Sequence, residues 1–225
     1  MNHFESVVSF SEPILKNWLS NQSDIYNAEI VQQQYLYSMA KGSMRSSSSF
    51  YTLIEQDKHH DLPVLARLSL ERYMKADFAR RSPTNAVALM IHEVKTVIIK
   101  LNKLAKLPSS DSAMLILKVS DLEKDLQKFE GLVDPDYPKD LSMFRIFELC
   151  ELEEIYRGAY HELSKVAHGG FHSGFKDVRA DGLLNFLALM TPVDATNMLY
   201  MTYHETPAYG YESLRESIYD RCFQK

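Results

Sequence analysis

Apolar residues recur at helical spacing along most of the chain, and the pattern is most regular between Asn85 and Glu130. Two successive runs advance in steps of three and four positions, through Val87, Met90, Val94, Val97, Leu101 and Leu104, and then through Leu115, Val119, Leu122, Leu126 and Phe129. Between them, Pro108-Ser-Ser-Asp111 is typical of a turn that ends on a helix N-cap. The pattern predicts an antiparallel hairpin of two heptad helices over residues 85–130, which would protrude or dimerise.

A second segment, from Leu62 to Ala79, is apolar on nearly every side, which is typical of a helix at the centre of a bundle. Arg67 and Glu71 lie four positions apart within it, so their side chains can form an ion pair. A charge on a buried helix must be compensated. One interpretation is an internal ion pair that fixes the register of the helix. The other is that both side chains project into a polar pocket shared with His168.

The segment from Gly42 to Phe50 is rich in serine, a composition typical of linkers. Its small residues nevertheless continue a helical spacing, and apolar residues resume that spacing at Phe50. We therefore expect a continuous helix whose small side chains let another helix approach closely, with a flexible break as the alternative. The glycine spacing and the lysine of a P-loop are absent.

These patterns together predict an all-α fold. No segment alternates with period two for long enough to form a strand, and no internal repeat is visible. The 225 residues contain only eight glycines and eight prolines, which favours long helices over a fold with many turns. We expect a single domain over residues 1–225, built as a bundle of about seven helices.

Composition narrows the classes of function. The net charge of −5 gives no overall basic field for nucleic acid. A lysine-rich outer face of the hairpin is either a solvated surface or a local phosphate-contacting patch; it comprises Lys95, Lys100, Lys103 and Lys106.

The two cysteines, Cys150 and Cys222, lie far apart in apolar segments, which favours buried thiols and a reducing compartment. The N-terminus does not resemble a signal peptide, and the longest apolar run, from Gly182 to Val193, is too short to span a bilayer. We expect a cytoplasmic protein without membrane contact.

Candidate chemistry is densest between Glu151 and His172. Apolar residues mark one face of a predicted helix that ends at Gly169-Gly170. A polar stripe follows at steps of four, three and four, through Arg157, His161, Ser164 and His168. A cation beside two imidazoles and a hydroxyl suits the binding of an anion or the cleavage of a phosphodiester. The same stripe also suits the solvated face of an ordinary amphipathic helix.

Two motifs carry a resemblance to a known family. The segments Val64-Leu-Ala-Arg67-Leu-Ser-Leu-Glu71-Arg-Tyr73 and Tyr160-His-Glu-Leu-Ser164-Lys-Val-Ala-His168-Gly169 resemble a large bacterial all-helical family of unknown function, over roughly Asp24 to Met201. The resemblance implies a helical bundle but no established reaction. It also implies that five side chains meet, namely Arg67, Glu71, Tyr160, Ser164 and His168.

The architecture is also similar to HEPN domains, many of which are RNase toxins or partners in phage defence. Those RNases place four to six residues between an arginine and a histidine, whereas Arg157 and His161 have three residues between them. The Glu-x-x-His pair of di-iron bundles is absent, and the spacing of His161, His168 and His172 matches no recognised metal-ligand pattern. We therefore expect neither a metal nor a cofactor.

Two hypotheses follow. The first is a non-catalytic, regulatory or partner-binding module in a bacterial stress or phage-defence context, which binds another protein or its own copy. The second is a HEPN-like ribonuclease or nucleotide-binding protein, in which His168 is the acid or base, Arg67 or Arg157 holds phosphate, and Glu71 and Tyr160 orient them. His161 and Ser164 would then complete the ligand-binding side. An open cleft would favour the second hypothesis, and a closed, hydrogen-bonded cluster the first.

Overall fold

The computed structural model describes residues 3–21, 26–58, 61–107, 111–138, 141–167 and 182–223, and within these ranges it contains helices and no strand. The helices are α1 (His3–Ser20), α2 (Ala28–Glu55), α3 (Leu62–Arg80), α4 (Pro83–Leu104), α5 (Ser112–Glu130), α6 (Met143–Leu149), α7 (Glu153–Ile155), a π-helical turn (Tyr156–Tyr160), α8 (His161–Ala167), α9 (Gly182–Tyr200) and α10 (Tyr211–Phe223). The all-α class is confirmed.

The described ranges hold more helices than the seven or so that we expected, because the region before and within the polar stripe is divided. Cys150 ends α6, and Glu151 then takes a left-handed backbone conformation with a φ of 61°. This conformation is unfavourable for a residue other than glycine, and it stops the helix. The chain restarts as α7, the π turn and α8.

The core lies where α2, α3 and α9 pack against one another. Their facing side chains are almost fully buried and comprise Leu36, Ala40, Leu70, Met74, Leu184, Ala188 and Leu199. Helices α1 and α10 cover the far side of α9, where Val7 and Ile218 complete a smaller apolar cluster. None of the helices in the described ranges is long and apolar enough to cross a membrane.

Helix α2 runs without a break through the serine-rich segment, which confirms the expected continuous helix. Ser43, Ser46 and Ser47 are buried, and the Ser47 hydroxyl contacts the carbonyl oxygen of Ala188 on α9. Small side chains thus let both α3 and α9 lie close to α2.

Helices α4 and α5 pack side by side in opposite directions. Ser112 at the start of α5 donates to the carbonyl of Ala105 at 2.8 Å, and Lys95 pairs with Glu130 at 2.7 Å. The bounds differ from the expected hairpin, since α4 already begins at Pro83 behind the N-cap Ser82.

The heptad positions of this pair are most buried where the pair joins the body of the protein, although Val119 in the first half of α5 is also buried. There Val87 and Phe129 pack with Val31 of α2. At the opposite end, Val97 and Leu104 are exposed although they occupy heptad positions.

Candidate functional site

Three of the predicted site residues meet between α3 and the π turn. The Arg67 Nε donates to a Glu71 carboxylate oxygen at 3.0 Å. The Tyr160 hydroxyl donates to the same oxygen at 2.8 Å and accepts a hydrogen bond from the Arg67 guanidinium at 3.3 Å. The three side chains therefore close a ring of hydrogen bonds, and we call them the polar triad. Arg67 and Glu71 are each 22% exposed, whereas Tyr160 is buried.

The π turn positions Tyr160 for this contact. It contains one more residue per turn than an α-helix, which changes the direction of the side chains that follow. The Tyr160 ring stacks on Tyr156 at 5.0 Å between centroids and packs on Phe147 at 5.5 Å. The ring of Tyr160 thus makes apolar contacts, whereas its hydroxyl points away from them. The Arg67–Glu71 ion pair of α3 provides the hydrogen-bond partners of this hydroxyl.

A second anchor holds α6 and therefore the segment that leads to the π turn. Asp77 of α3 is almost fully buried and forms ion pairs with Arg80 at 2.9 Å and Arg81 at 2.8 Å. Arg81 also donates to the carbonyl oxygen of Cys150 at 3.1 Å. Because unpaired carbonyls end every helix, this contact fixes the end of α6 on α3.

The charges of the triad are mutually satisfied. Burial and the hydrogen bond to Glu71 raise the pKa of Tyr160. Burial alone would lower the pKa of Arg67, but its contacts with Tyr160 and Glu71 raise it overall. At neutral pH the phenol is therefore protonated and the guanidinium charged, so neither group is prepared to accept a proton.

The remaining predicted residues do not join the triad through any described contact. Arg157 and His161 are exposed, and Ser164 is half-buried. His168, the predicted acid or base, lies outside the described residues, as do His172 and the Gly169-Gly170 helix end. Within the described ranges, no group of three His, Cys, Asp or Glu side chains is placed to hold a metal ion.

Comparison with known proteins gives one match. A family model described as a family of unknown function, DUF5677, matches residues 33–182, about two thirds of the chain. This chain belongs to DUF5677. No curated protein matches it, and neither does any solved structure.

The match confirms the predicted resemblance to a family of unknown function. It carries no information about the likeness to HEPN domains or about individual motif residues. In this DUF5677 protein the matched range includes the whole polar triad and the polar stripe, whereas α1 and α10 lie outside it.

Sequence reasoning missed one carboxylate with an unusual environment. Asp194 lies on α9, which carries no other charged residue, and accepts a hydrogen bond from the Tyr211 hydroxyl of α10 at 2.8 Å. Burial raises the pKa of Asp194 to about 6, although Tyr211 and Arg215 oppose the shift. The only signal in the sequence was a single acidic residue within an apolar helix.

We expect Tyr160→Phe to lower the free energy of unfolding by about 1–3 kcal/mol, because it removes one hydrogen bond to Glu71 and one from Arg67 in a partly buried site. Urea unfolding monitored by circular dichroism measures this difference. The matched control is Tyr156→Phe, which removes a hydroxyl without a hydrogen-bond partner among the described contacts. Equal losses in the two variants would contradict a stabilising role for the triad.

We expect Asp194 to make this DUF5677 protein less stable as the pH rises from about 4 through 6. Its pKa in the folded state is about 6, above the ordinary value of 3.8, so in this window the folded state binds more protons than the unfolded state. Asp194→Asn keeps an acceptor for Tyr211 and removes the titration.

The variant should therefore be more stable than the wild type at pH 7 and gain less at pH 4.5. Urea unfolding at several pH values measures the difference between the two proteins. Asp220→Asn, which removes an exposed carboxylate of α10, is the control for the loss of one negative charge. A pH-independent difference for Asp194→Asn would contradict the raised pKa.

Proposed function

We propose that the protein is a non-catalytic binding module that associates with a second copy of itself through the free end of the α4–α5 pair. One observation carries this proposal. Seven of the 17 exposed large hydrophobic side chains in the described residues lie between positions 97 and 117, with exposed fractions of 40% to 69%. We call these seven residues the apolar end; they are Val97, Ile99, Leu104, Leu107, Met114, Ile116 and Leu117.

The concentration of these side chains matters more than their number. Single exposed hydrophobic residues are ordinary on protein surfaces. Here they occupy the ends of two adjoining helices, where Ile116 and Leu117 are more than half exposed. A cluster of exposed apolar side chains in one region is typical of interaction sites.

The distribution of charge favours a second copy as the occupant. Residues 100–118 contain four lysines and one acidic residue, whereas residues 119–130 contain four acidic residues and two lysines. In a two-fold antiparallel arrangement, the lysine-rich end of each copy would lie beside the acidic section of the other. The four lysines have no ion-pair partner among the described contacts; they are Lys100, Lys103, Lys106 and Lys118.

The polar triad supports a non-catalytic function. Its three side chains are hydrogen-bonded to one another, and its tyrosine has a raised pKa. A cluster paired in this way suits a structural role better than proton transfer. A cytoplasmic location is supported by two free thiols, Cys150 and Cys222. The proposed context of bacterial stress or phage defence rests on the likeness to HEPN domains alone.

Self-association is tested by sedimentation equilibrium of the full chain over a range of concentrations. We expect the wild type to dimerise and Ile116→Glu and Leu117→Glu each to weaken association about tenfold or more, since each would bury a charge in the interface. Added salt should weaken the wild-type dimer because lysine–carboxylate contacts are screened.

The control is Tyr209→Glu, which introduces the same charge at a fully exposed aromatic residue far from the apolar end in the sequence. It should leave association unchanged. A wild type that stays monomeric at every concentration, or equal weakening in all three variants, would contradict the proposal. If the protein stays monomeric but binds an acidic partner protein, the apolar end would be a binding surface for that partner and not for a second copy.

A ribonuclease or nucleotide-binding function is the second candidate. The specific observation in its favour is that Arg67, Glu71 and Tyr160 meet beside a π turn, a feature that is frequent at functional sites. His168 would be the acid or base in this function, Arg157 a second phosphate contact, and His161 and Ser164 ligand contacts.

Total RNA integrity after induction of the chain separates the two functions. We expect RNA to remain intact for the wild type, Glu71→Gln and His168→Ala, because the triad has no free base. RNA cleavage by the wild type that disappears in both variants, at unchanged thermal midpoints, would identify a nuclease. Arg145→Gln, at a cation of α6 paired with Glu148, is the control.

A further inference from the structure

A cationic pocket lies between α2 and α3, on a different face of α3 from the polar triad. Its volume is about 270 Å³. It is lined by Tyr37, Ser38, Met39, Lys41, Gly42, Arg45 and Arg72. Lys41 and Arg45 are one helical turn apart on α2, so their side chains flank the pocket on the same face. Three cations therefore surround one small space in a protein whose net charge is −5.

Arg72 is the most buried of these three cations. Its side chain is half-buried, and one of its terminal nitrogens donates to the carbonyl oxygen of Gly42 at 2.8 Å and contacts the Ser46 hydroxyl. Both partners are neutral. Among the described residues no carboxylate lies within ion-pair distance of Arg72, since the neighbouring Glu71 is bound to Arg67 and Tyr160.

A guanidinium in this position is incompletely compensated. Burial lowers the pKa of Arg72, which reflects the cost of removing its charge from water. Neutral acceptors offset part of that cost, and a nearby anion would offset more. Arg67, five residues earlier on the same helix, is hydrogen-bonded to Glu71, whereas Glu71 acts on Arg72 without a direct bond. The contrast indicates that Arg72 is placed for an external anion.

The backbone of α2 allows this placement. A Cβ atom at Gly42 would lie 3.0 Å from the Arg72 Nε, closer than side chains normally approach. The glycine therefore lets the guanidinium approach α2 closely, in the pocket that Lys41 and Arg45 also line. The planar fork of an arginine matches two oxygens of one phosphate group.

The aromatic side chain of the pocket restricts the class of ligand. The Tyr37 ring stacks on Trp18 at 4.3 Å, and the Lys41 amine lies 5.5 Å from the same ring centroid. These contacts already engage the ring that a nucleobase would use for stacking. The pocket thus offers charge and hydrogen-bond donors to a tetrahedral anion, without an unoccupied aromatic surface beside them.

We propose that the pocket formed by Lys41, Arg45 and Arg72 binds the phosphate group of a small molecule, either inorganic phosphate or a phosphate monoester. The acidic net charge and the size of the pocket disfavour a long polyanion. This site is independent of self-association through α4 and α5.

Isothermal titration calorimetry of the full chain in low salt tests the site with inorganic phosphate and with glycerol 3-phosphate. We expect saturable binding of at least one probe, with Arg45→Gln and Lys41→Gln each weakening it about tenfold or more. Both residues are exposed, so these variants retain the fold, which thermal unfolding checks. Tighter binding of glycerol 3-phosphate would assign the site to a monoester, and tighter or equal binding of inorganic phosphate to the free ion.

The control is Lys58→Gln, an exposed lysine just beyond the C-terminal end of α2, which should bind both probes as the wild type does. Arg72→Lys tests the contribution of the guanidinium group, since it keeps the positive charge and removes the two parallel N–H donors. We expect this variant to bind phosphate more weakly as well. The proposal is overturned if the wild type binds neither probe, or if Lys58→Gln weakens binding as much as Arg45→Gln. Binding only of an RNA oligonucleotide without a terminal phosphate would also overturn it.

Discussion

The close approach of α3 and α9 to α2 is the constraint on which the remaining structure depends. It requires small side chains along the middle of α2, where Gly42, Ser43, Ser46 and Ser47 replace the larger residues found elsewhere on the helix. The Ser43 hydroxyl is buried without a hydrogen-bond partner in the described structure, so the small size of this residue accounts for its position better than its polarity does. This close packing fixes the rotation of α3 about its own axis. It thereby determines the direction in which each polar side chain of α3 points.

Two arginines of α3 are consequently held in different environments. Arg67 faces the π turn and shares its charge with Glu71 and with the hydroxyl of Tyr160. Arg72 faces α2 and contacts only a carbonyl and a hydroxyl. Direct pairing with a carboxylate of the same protein favours a structural contribution of Arg67, since part of its electrostatic interaction is already used. Incomplete pairing at the edge of a pocket favours binding, because an added anion lowers the cost of a charge that the fold has already buried.

Local sequence information was sufficient for the helices and for contacts within one helix. Helical periodicity predicted the all-α class and the continuity of α2, and the four-residue spacing indicated that Arg67 and Glu71 could pair. The meeting of Tyr160 with this pair came from the family resemblance, because no local pattern connects residues 89 positions apart in the chain.

The features that were not predicted depend on tertiary structure. No glycine or proline marks the break at Glu151, whose left-handed conformation is held by the packing of α6 on α3. The pKa of Asp194 depends on burial beneath α10, which periodicity cannot reveal. Heptad spacing at Val97 and Leu104 showed that these residues share a face with their neighbours, but not whether another element covers that face.

The π turn makes the length of its segment as important as its composition. A residue inserted into a regular helix rotates everything after it by about 100° around the helix axis. A chain one residue shorter between Tyr156 and Tyr160 would form a regular helix and turn the hydroxyl of Tyr160 away from α3. Among homologous sequences, a gap of one residue at this place would therefore remove the contact between the two segments even if both of their motifs were retained. A deletion of one residue here would thus remove the contact as fully as a substitution of Tyr160 itself.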